Sequence, residues 1–244
     1  MENLKKTLYS FLTINIIWGI FAKILNLAVL PSPVIVYKML PKLIKLNIGM
    51  HIYASLYRVF WGLTISTIIG VIFGILIVRV KRIGNLLNPI VYFIYPIPKI
   101  ALLPIVMLLF GLGELSKIIM LIIAVSFQVI VSVRDNVHQI PEDYYQTLKV
   151  LNANPLEIFF NIIWPASLPG VLSALRIALG TSFAILFFTE EYGTEIGLGY
   201  FIMDQWQRMN YPTMYAGIII VSIIAYILFE VINISENYCT RWKK

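Results

Sequence analysis

Residues 59–78 run for twenty positions without a charged side chain, and twenty helical residues at 1.5 Å each match the roughly 30 Å hydrocarbon core of a bilayer. A second uncharged run covers 212–229, and residues 118–133 form a shorter one that can extend at either end. Three further apolar runs, 8–30, 89–110 and 168–188, carry one cation each: Lys23, Lys99 and Arg176. Lys23 falls near an end of its run, where a lysine can snorkel to the interface. The expected fold is therefore all-α, one polytopic membrane domain over 1–244 with about six crossings. Lys5 and Lys6 precede the first apolar run as in a signal peptide. However, no small-x-small cleavage site follows Ile20 and the run resumes after Lys23, so a retained helix is expected.

Composition agrees and narrows the chemistry. Hydrophobic residues make up 59% of the chain and charged ones only 13%, about half the charge of an ordinary soluble domain. The net charge of +7 is too diluted to mark a nucleic-acid binder, and it suits loops beside anionic headgroups. A single cysteine, Cys239, excludes a disulfide framework and a cysteine metal cluster. With only His51 and His138, and Ser126, Ser182 and Ser222 far from both in sequence, an intramembrane enzyme is disfavoured. No cofactor is expected, and transport is favoured over catalysis.

Six crossings place both ends on one side. If that side is cytoplasmic, it receives ten lysines and arginines from the loops against six outside, which favours both termini inside under the positive-inside rule. The main counterweight is residues 31–58, an amphipathic outer connector with Lys38, Lys42 and Lys45 at near-helical spacing.

Within the spans, Gly70 and Gly74 form a G-x-x-x-G pair that strips side chains from one helix face and marks a packing surface. Pro89, Pro96, Pro98 and Pro104 all fall in the third span, where each interior proline removes a helical hydrogen bond and kinks the chain. Such a helix fits a translocation path or hinge, which makes Pro96, Pro98 and Lys99 candidate path residues. Arg176 lies within the membrane by sequence, so two readings stand: an ion pair with another helix, or snorkelling. It cannot reach Glu190 along one helix, because fourteen residues cover about 21 Å. Arg176 and Glu190 are candidate gating residues.

The segment 134–164 is too polar to cross and too patterned to be slack. Glu142 and Asp143 open a first helix, Asn152 stands where a left-handed stop belongs, and Asn154-Pro155-Leu156-Glu157 supplies an N-cap, a first-turn proline and a reach-back glutamate. A rigid helical hairpin follows. Tyr144, Tyr145, Leu148, Leu151, Phe159 and Phe160 are too apolar for full solvation, so some pack under the protein or into a partner.

Residues 146–165 resemble the cytoplasmic signature of permease subunits of bacterial ABC importers: Glu-Ala-Ala, three residues, Gly, nine residues, Ile, two residues, Pro. Gln146-Thr147-Leu148, Asn152, Ile162 and Pro165 occupy those positions. The spacing is kept while the Glu-Ala-Ala and the glycine are replaced, and asparagine is the mildest substitute at a left-handed position. Further stretches resemble the nitrate/sulfonate/taurine-type permeases. These are His51-x-x-x-Ser55-Leu56-x-Arg58-Val59, Pro96-x-Pro98, Phe110-Gly111-x-Gly113-Glu114-x-Ser116-Lys117, Trp164-Pro165-Ala166-x-Leu168-Pro169, Leu175-Arg176-x-Ala178-Leu179-Gly180 and Gly197-Leu198-Gly199-Tyr200. Glu190 also falls where that family carries a glutamate.

The resemblance implies a type I importer permease of the bacterial or archaeal cell membrane, moving a small solute of the sulfonate, nitrate or taurine kind. It also implies two copies of the chain forming the channel, two ATPase subunits below and an extracytoplasmic solute-binding protein above. The chain has no Gly-x-x-x-x-Gly-Lys-Ser/Thr loop, so it is expected to be no enzyme itself. The implied ATPase-coupling residues are Tyr145, Gln146, Thr147, Leu148, Asn152, Ala153, Asn154, Pro155, Glu157, Ile162 and Pro165. The outer segments Gly111 to Lys117 and Glu190 to Tyr211 are expected to receive the binding protein. A secondary active transporter independent of ATP is the alternative; it needs acidic residues within spans, where Glu230 is the one candidate besides Glu190 and Glu191.

Overall fold

The computed structural model describes residues 2–241, except for the side chains of 2–8 and of Lys149. Lys243 and Lys244, and the side chains of Lys5, Lys6 and Lys149, which entered the charge count above, lie outside the described residues. The described structure is helical throughout: α1 (Glu2–Leu25), α2 (Pro33–Met39), α3 (Ile48–Arg79), α4 (Lys81–Ile94), α5 (Leu103–Phe110), α6 (Glu114–His138), α7 (Glu142–Val150), α8 (Pro155–Ile158), α9 (Trp164–Glu191), α10 (Leu198–Gln207) and α11 (Tyr211–Cys239). A 3₁₀ helix, Leu40–Leu46, links α2 to α3, and a π-helical turn, Phe159–Ile163, joins α8 to α9.

Four of these helices are long and apolar enough to cross a bilayer: Ile48–Arg79, Glu114–His138, Pro155–Glu191 and Tyr211–Cys239. Among the described residues, α4 and the Lys99–Phe110 helix, which meet at 91°, make a fifth crossing if they count as one span. The third span is thus broken rather than kinked. Pro98 has no N–H to give to the Ile94 carbonyl, and the chain turns away. The expected first span is also shorter than 8–30. Asn26 adopts φ 44° and α1 ends at Leu25, short of residue 30. Asparagine accepts that left-handed geometry more readily than any other residue with a Cβ.

The core is built on α3 and α6, which pack along the glycine seam. A Cβ at Gly62 would stand 2.7 Å from the Leu121 Cβ, one at Gly74 2.8 Å from the Val133 Cβ, and one at Gly70 would collide with Val129. Here the missing side chain is required, because only bare backbone allows the two helices so close. Val125, Val129 and Val133 are fully buried against α9 residues Val171, Ala174 and Ala178. Beyond this core, α1 and α11 expose aliphatic and aromatic side chains such as Phe11, Ile20, Ile223 and Tyr226, the composition of a lipid-facing surface.

Candidate functional site

Two built features stand at opposite ends of the α3/α6/α9 core. One is a buried charge cluster at the α9 C-terminus; the other is the hairpin between α6 and α9.

The charge cluster is assembled by four helices. Arg58 on α3 is fully buried, and its Nη1 donates to Glu190 Oε1 at 2.6 Å and to the Ile196 carbonyl at 2.9 Å. Its Nε donates to Glu114 Oε2 at 2.6 Å, while Nη2 donates to Glu114 Oε1, closing a two-pronged pair with the first residue of α6. Glu190 is also fully buried, and it accepts from Ser55 Oγ at 2.7 Å and from the Gly199 N–H at 2.7 Å. Ser55 Oγ accepts in turn from the Leu198 N–H at 2.8 Å. Lys117, buried in the first turn of α6, donates to the carbonyls of Leu112 at 2.8 Å and Gly113 at 3.2 Å. Two buried cations thus face one buried carboxylate, Glu190, and one half-exposed carboxylate, Glu114, which together offset their charge.

Gly197 completes the arrangement. Its φ of 144° belongs to glycine, and a side chain there would stand 2.5 Å from Glu190 Oε2. His51 Nδ1 bridges to the Gly197 backbone at 3.0 Å from its oxygen and 3.1 Å from its nitrogen, and the ring packs on Tyr200 and Phe201. Glu190 therefore forms part of a lock that fixes the ends of α3, α6, α9 and α10 together.

The hairpin is built as its local chemistry requires. Asn152 has φ 54°, and the Ala153 N–H reaches back to the Leu148 carbonyl at 3.0 Å, the six-to-one bond of a left-handed helix stop. Asn154 Oδ1 accepts from the Glu157 N–H at 2.9 Å, and Glu157 Oε2 accepts from the Asn154 N–H at 2.7 Å, so the capping box is closed. Pro155 follows at the first helical position. The apolar residues of the hairpin divide in two. Tyr145 is buried with Val137, Ile163 and Val171, and the Arg79 guanidinium lies 4.1 Å from its ring centroid, tying the hairpin to the end of α3. Burial pushes the Tyr145 phenol up, so it stays neutral. Tyr144, Leu151 and Phe160 instead face outward, together with Val150 and Leu156. Gln146, Thr147, Asn152, Asn154, Pro155 and Glu157 are exposed, while Leu148 and Ala153 are half-buried. Ile162 and Pro165 line a cavity of about 520 Å³ at the hairpin's foot, with Asn136, Pro141 and Tyr144.

The candidate path residues occupy separate settings. Pro96 and Pro98 form the break after α4, where Lys99 Nζ donates to the Ile94 carbonyl at 3.0 Å and to the Tyr95 carbonyl. Lys99 thereby ties the start of the second half to the last carbonyls of α4 and its C-cap, where the Ile97 N–H also donates to the Ile94 carbonyl. Arg176 is paired with Glu236 on α11, its guanidinium 5.5 Å from the Phe229 ring centroid, so the open choice between ion pair and snorkelling resolves to the ion pair. Sequence reasoning missed Glu236, which lies beyond the apolar run 212–229, on a helix that continues to Cys239. It also missed the mutual pairing of Ser55, Arg58, Glu114 and Glu190, although each stood within a stretch singled out for its resemblance. Arginine and glutamate bordering otherwise apolar spans are the signal that each needs a partner.

Residues 66–238 match the family described as the binding-protein-dependent transport system inner membrane component. The nitrate import permease protein NrtB of Synechocystis is 31% identical over 191 residues, covering 78% of this chain and 70% of that protein. The formylaminopyrimidine transport permease protein ThiX of Halalkalibacterium halodurans is 28% identical over 244 residues, covering 100% and 97%. Among solved structures, an inward-facing conformation of the MetNI methionine ABC transporter superposes with a TM-score of 0.66 at 21% identity, over 81% of this chain and 96% of that one; this likeness bears on the fold alone.

Proposed function

Because the chain belongs to the binding-protein-dependent transport system inner membrane components, it is a multi-pass permease subunit of an ABC importer, and we propose how its parts divide that work. The permease is not the ATPase; hydrolysis belongs to a separate subunit, and a solute-binding protein is the other partner that the family implies.

Two copies of the chain form the pathway in this proposal, with one ATPase under each. Both termini and the hairpin face the cytoplasm, and the charge cluster marks the outer end. The hairpin is the coupling element. Its capping box and left-handed stop hold α7 and α8 at a fixed angle, and its outward apolar residues Val150, Leu151 and Leu156 offer an ATPase cleft a rigid plug. Tyr145, wedged under Arg79 and against α6 and α9, carries movement of that plug into the core. When two ATPases close on nucleotide, the hairpins travel with them and the outward-open state gains population. The outer segments Gly111 to Lys117 and Glu190 to Tyr211, fixed by the charge cluster, receive the binding protein. The solute is small and of the nitrate, sulfonate or taurine kind, in keeping with the nitrate-importing relative. Selection among such solutes rests with the binding protein, as relatives named for nitrate and for formylaminopyrimidine share this scaffold.

The observation that carries the reading is the family match together with a preformed, apolar-tipped hairpin at the family's coupling position. Isolation of the full chain from native membranes in mild detergent, with mass spectrometry of what accompanies it, tests the reading. A P-loop ATPase and an extracytoplasmic binding protein are expected. Recovery of the chain alone, under conditions that keep a known importer intact, would favour the ATP-independent alternative.

A further inference from the structure

The cations of the core all have protein partners, whereas Lys23, Lys38, Lys42 and Lys45 make no ion pair or side-chain hydrogen bond among the described residues. All four are exposed, and the chain has no Asp or Glu anywhere from residue 3 to residue 113 to neutralise them. They lie on one structural unit. α2 folds back on α1, the Tyr37 hydroxyl donating to Asn15 Oδ1 at 2.5 Å, while Val36 and Leu43 are buried beside Ala216 near the start of α11. Trp18 stacks on Tyr215 at 5.7 Å. Tyr211 and Tyr215 in the first two turns of α11 and Lys23 in the last turn of α1 stand at the ends of apolar helices, where tyrosine and lysine mark the headgroup level, so this unit sits at a membrane boundary.

At that level α1, α2 and the start of α11 enclose an open crevice of about 610 Å³. Lys23, Asn26 and Ser32 supply its polar groups, Ile35 and Pro212 its apolar wall, and Gly19 its floor, beside which nothing stands within 4 Å of where a Cβ would be. Lys38 follows Ile35 by one helical turn, placing a second ammonium on the same face. Val34, Ile35, Ile44 and Leu46 are exposed among and beside the lysines. A ridge that docked only a water-soluble acidic partner would leave those four side chains in water; alternating ammonium and aliphatic groups match a surface that is itself half anionic and half hydrocarbon.

We propose that this crevice is a binding site for an anionic glycerophospholipid of the outer leaflet. Its phosphate is held between Lys23 and Lys38 with Asn26 and Ser32 donating, and an acyl chain runs over Gly19 along the exposed face of α1. The inference rests on the orientation proposed above for its choice of leaflet and on the placement of α1 and α2 at the membrane boundary; it does not depend on the ATPase or on the solute.

The test is native mass spectrometry of the purified full chain in detergent, titrated with phosphatidylglycerol or with phosphatidylcholine of the same acyl chains. The protein should retain phosphatidylglycerol preferentially. Lys23→Gln/Lys38→Gln should weaken that retention about 25-fold, each lysine near a charged surface being worth about fivefold. A Lys81→Gln/Arg82→Gln control at the opposite end should retain wild-type preference. Glycerol 3-phosphate, added as the soluble headgroup, should not displace the lipid. Equal retention of the two lipids, or an unchanged double variant, would overturn the proposal. So would displacement by glycerol 3-phosphate, which would mark a free-phosphate site. Lysine variants that kept lipid but lost the binding protein in the pull-down would assign the ridge to an acidic protein partner instead.

Discussion

Replacing Arg58 with methionine strips Glu190 of the one direct cationic partner it has among the described residues while leaving its hydrogen bonds from Ser55 at 2.7 Å and the Gly199 N–H at 2.7 Å. Both partners are at 0% side-chain exposure, so no water can approach the abandoned carboxylate, and the loss should be about 3–5 kcal/mol. Glu190→Gln should cost less, about 1–3 kcal/mol. The amide oxygen can still accept from Ser55 or Gly199, and Arg58 keeps its two-pronged pair with Glu114, whose side chain is 53% exposed. In the double variant Arg58→Met/Glu190→Gln no buried charge is orphaned, and the freed Glu114 is solvated. That protein should therefore be more stable than Arg58→Met alone, which requires a coupling between the sites that exceeds the cost of Glu190→Gln and so approaches about 3 kcal/mol. Thermal unfolding in detergent, followed by tryptophan fluorescence, reads the difference. At about 2–4 °C per kcal/mol for a chain of this length, Arg58→Met should lower the midpoint by about 6–20 °C and Glu190→Gln should restore part of it. If the two losses simply add, the cluster is not a charge-balanced lock.

Three shorter predictions follow from the same geometry. Gly70→Val should destabilise the fold by about 1–3 kcal/mol by forcing α3 from α6, whereas Gly19→Ala, beside open space, should leave the unfolding midpoint unchanged or raised; equal effects would refute the seam. Asn152→Gly should stabilise the hairpin by up to about 1 kcal/mol and Asn152→Val should weaken it, because the position has φ 54°; amide hydrogen exchange across 142–158 should slow and quicken accordingly. Asn154→Ala should cost about 1 kcal/mol through the lost cap and quicken exchange at Glu157, whose N–H the Asn154 side chain accepts.

What could be read from the chain itself follows the range of the interactions. The hairpin's stop and capping box connect residues three to five positions apart, so Asn152, Asn154 and Glu157 announced their geometry. The glycine pair on α3 likewise announced a packing face, though not that Val129 and Val133 would fill it. The charge cluster joins Arg58 to residues 56 and 132 positions away; charge near the ends of apolar spans signals that a partner exists, and only the fold says which. The same holds for Arg176 and Glu236, 60 positions apart. The broken span lay between these cases. Four prolines foretold a disturbed helix, but they pointed to a kink and not to a turn of 91° between its two halves. Hydropathy overran the first span because residues 27–30 are as apolar as the helix before them, while Asn26 alone sets the end.

The central claim is that the hairpin transmits ATP turnover to the core, and the direct measurement is the number of ATP molecules hydrolysed per solute imported into vesicles holding the complete importer. Ala153→Asp sets a charge at the hairpin's bend without touching Tyr145 or the capping box. The account predicts that hydrolysis continues while uptake falls away, so that the ratio rises steeply. Normal uptake at an unchanged ratio would contradict it.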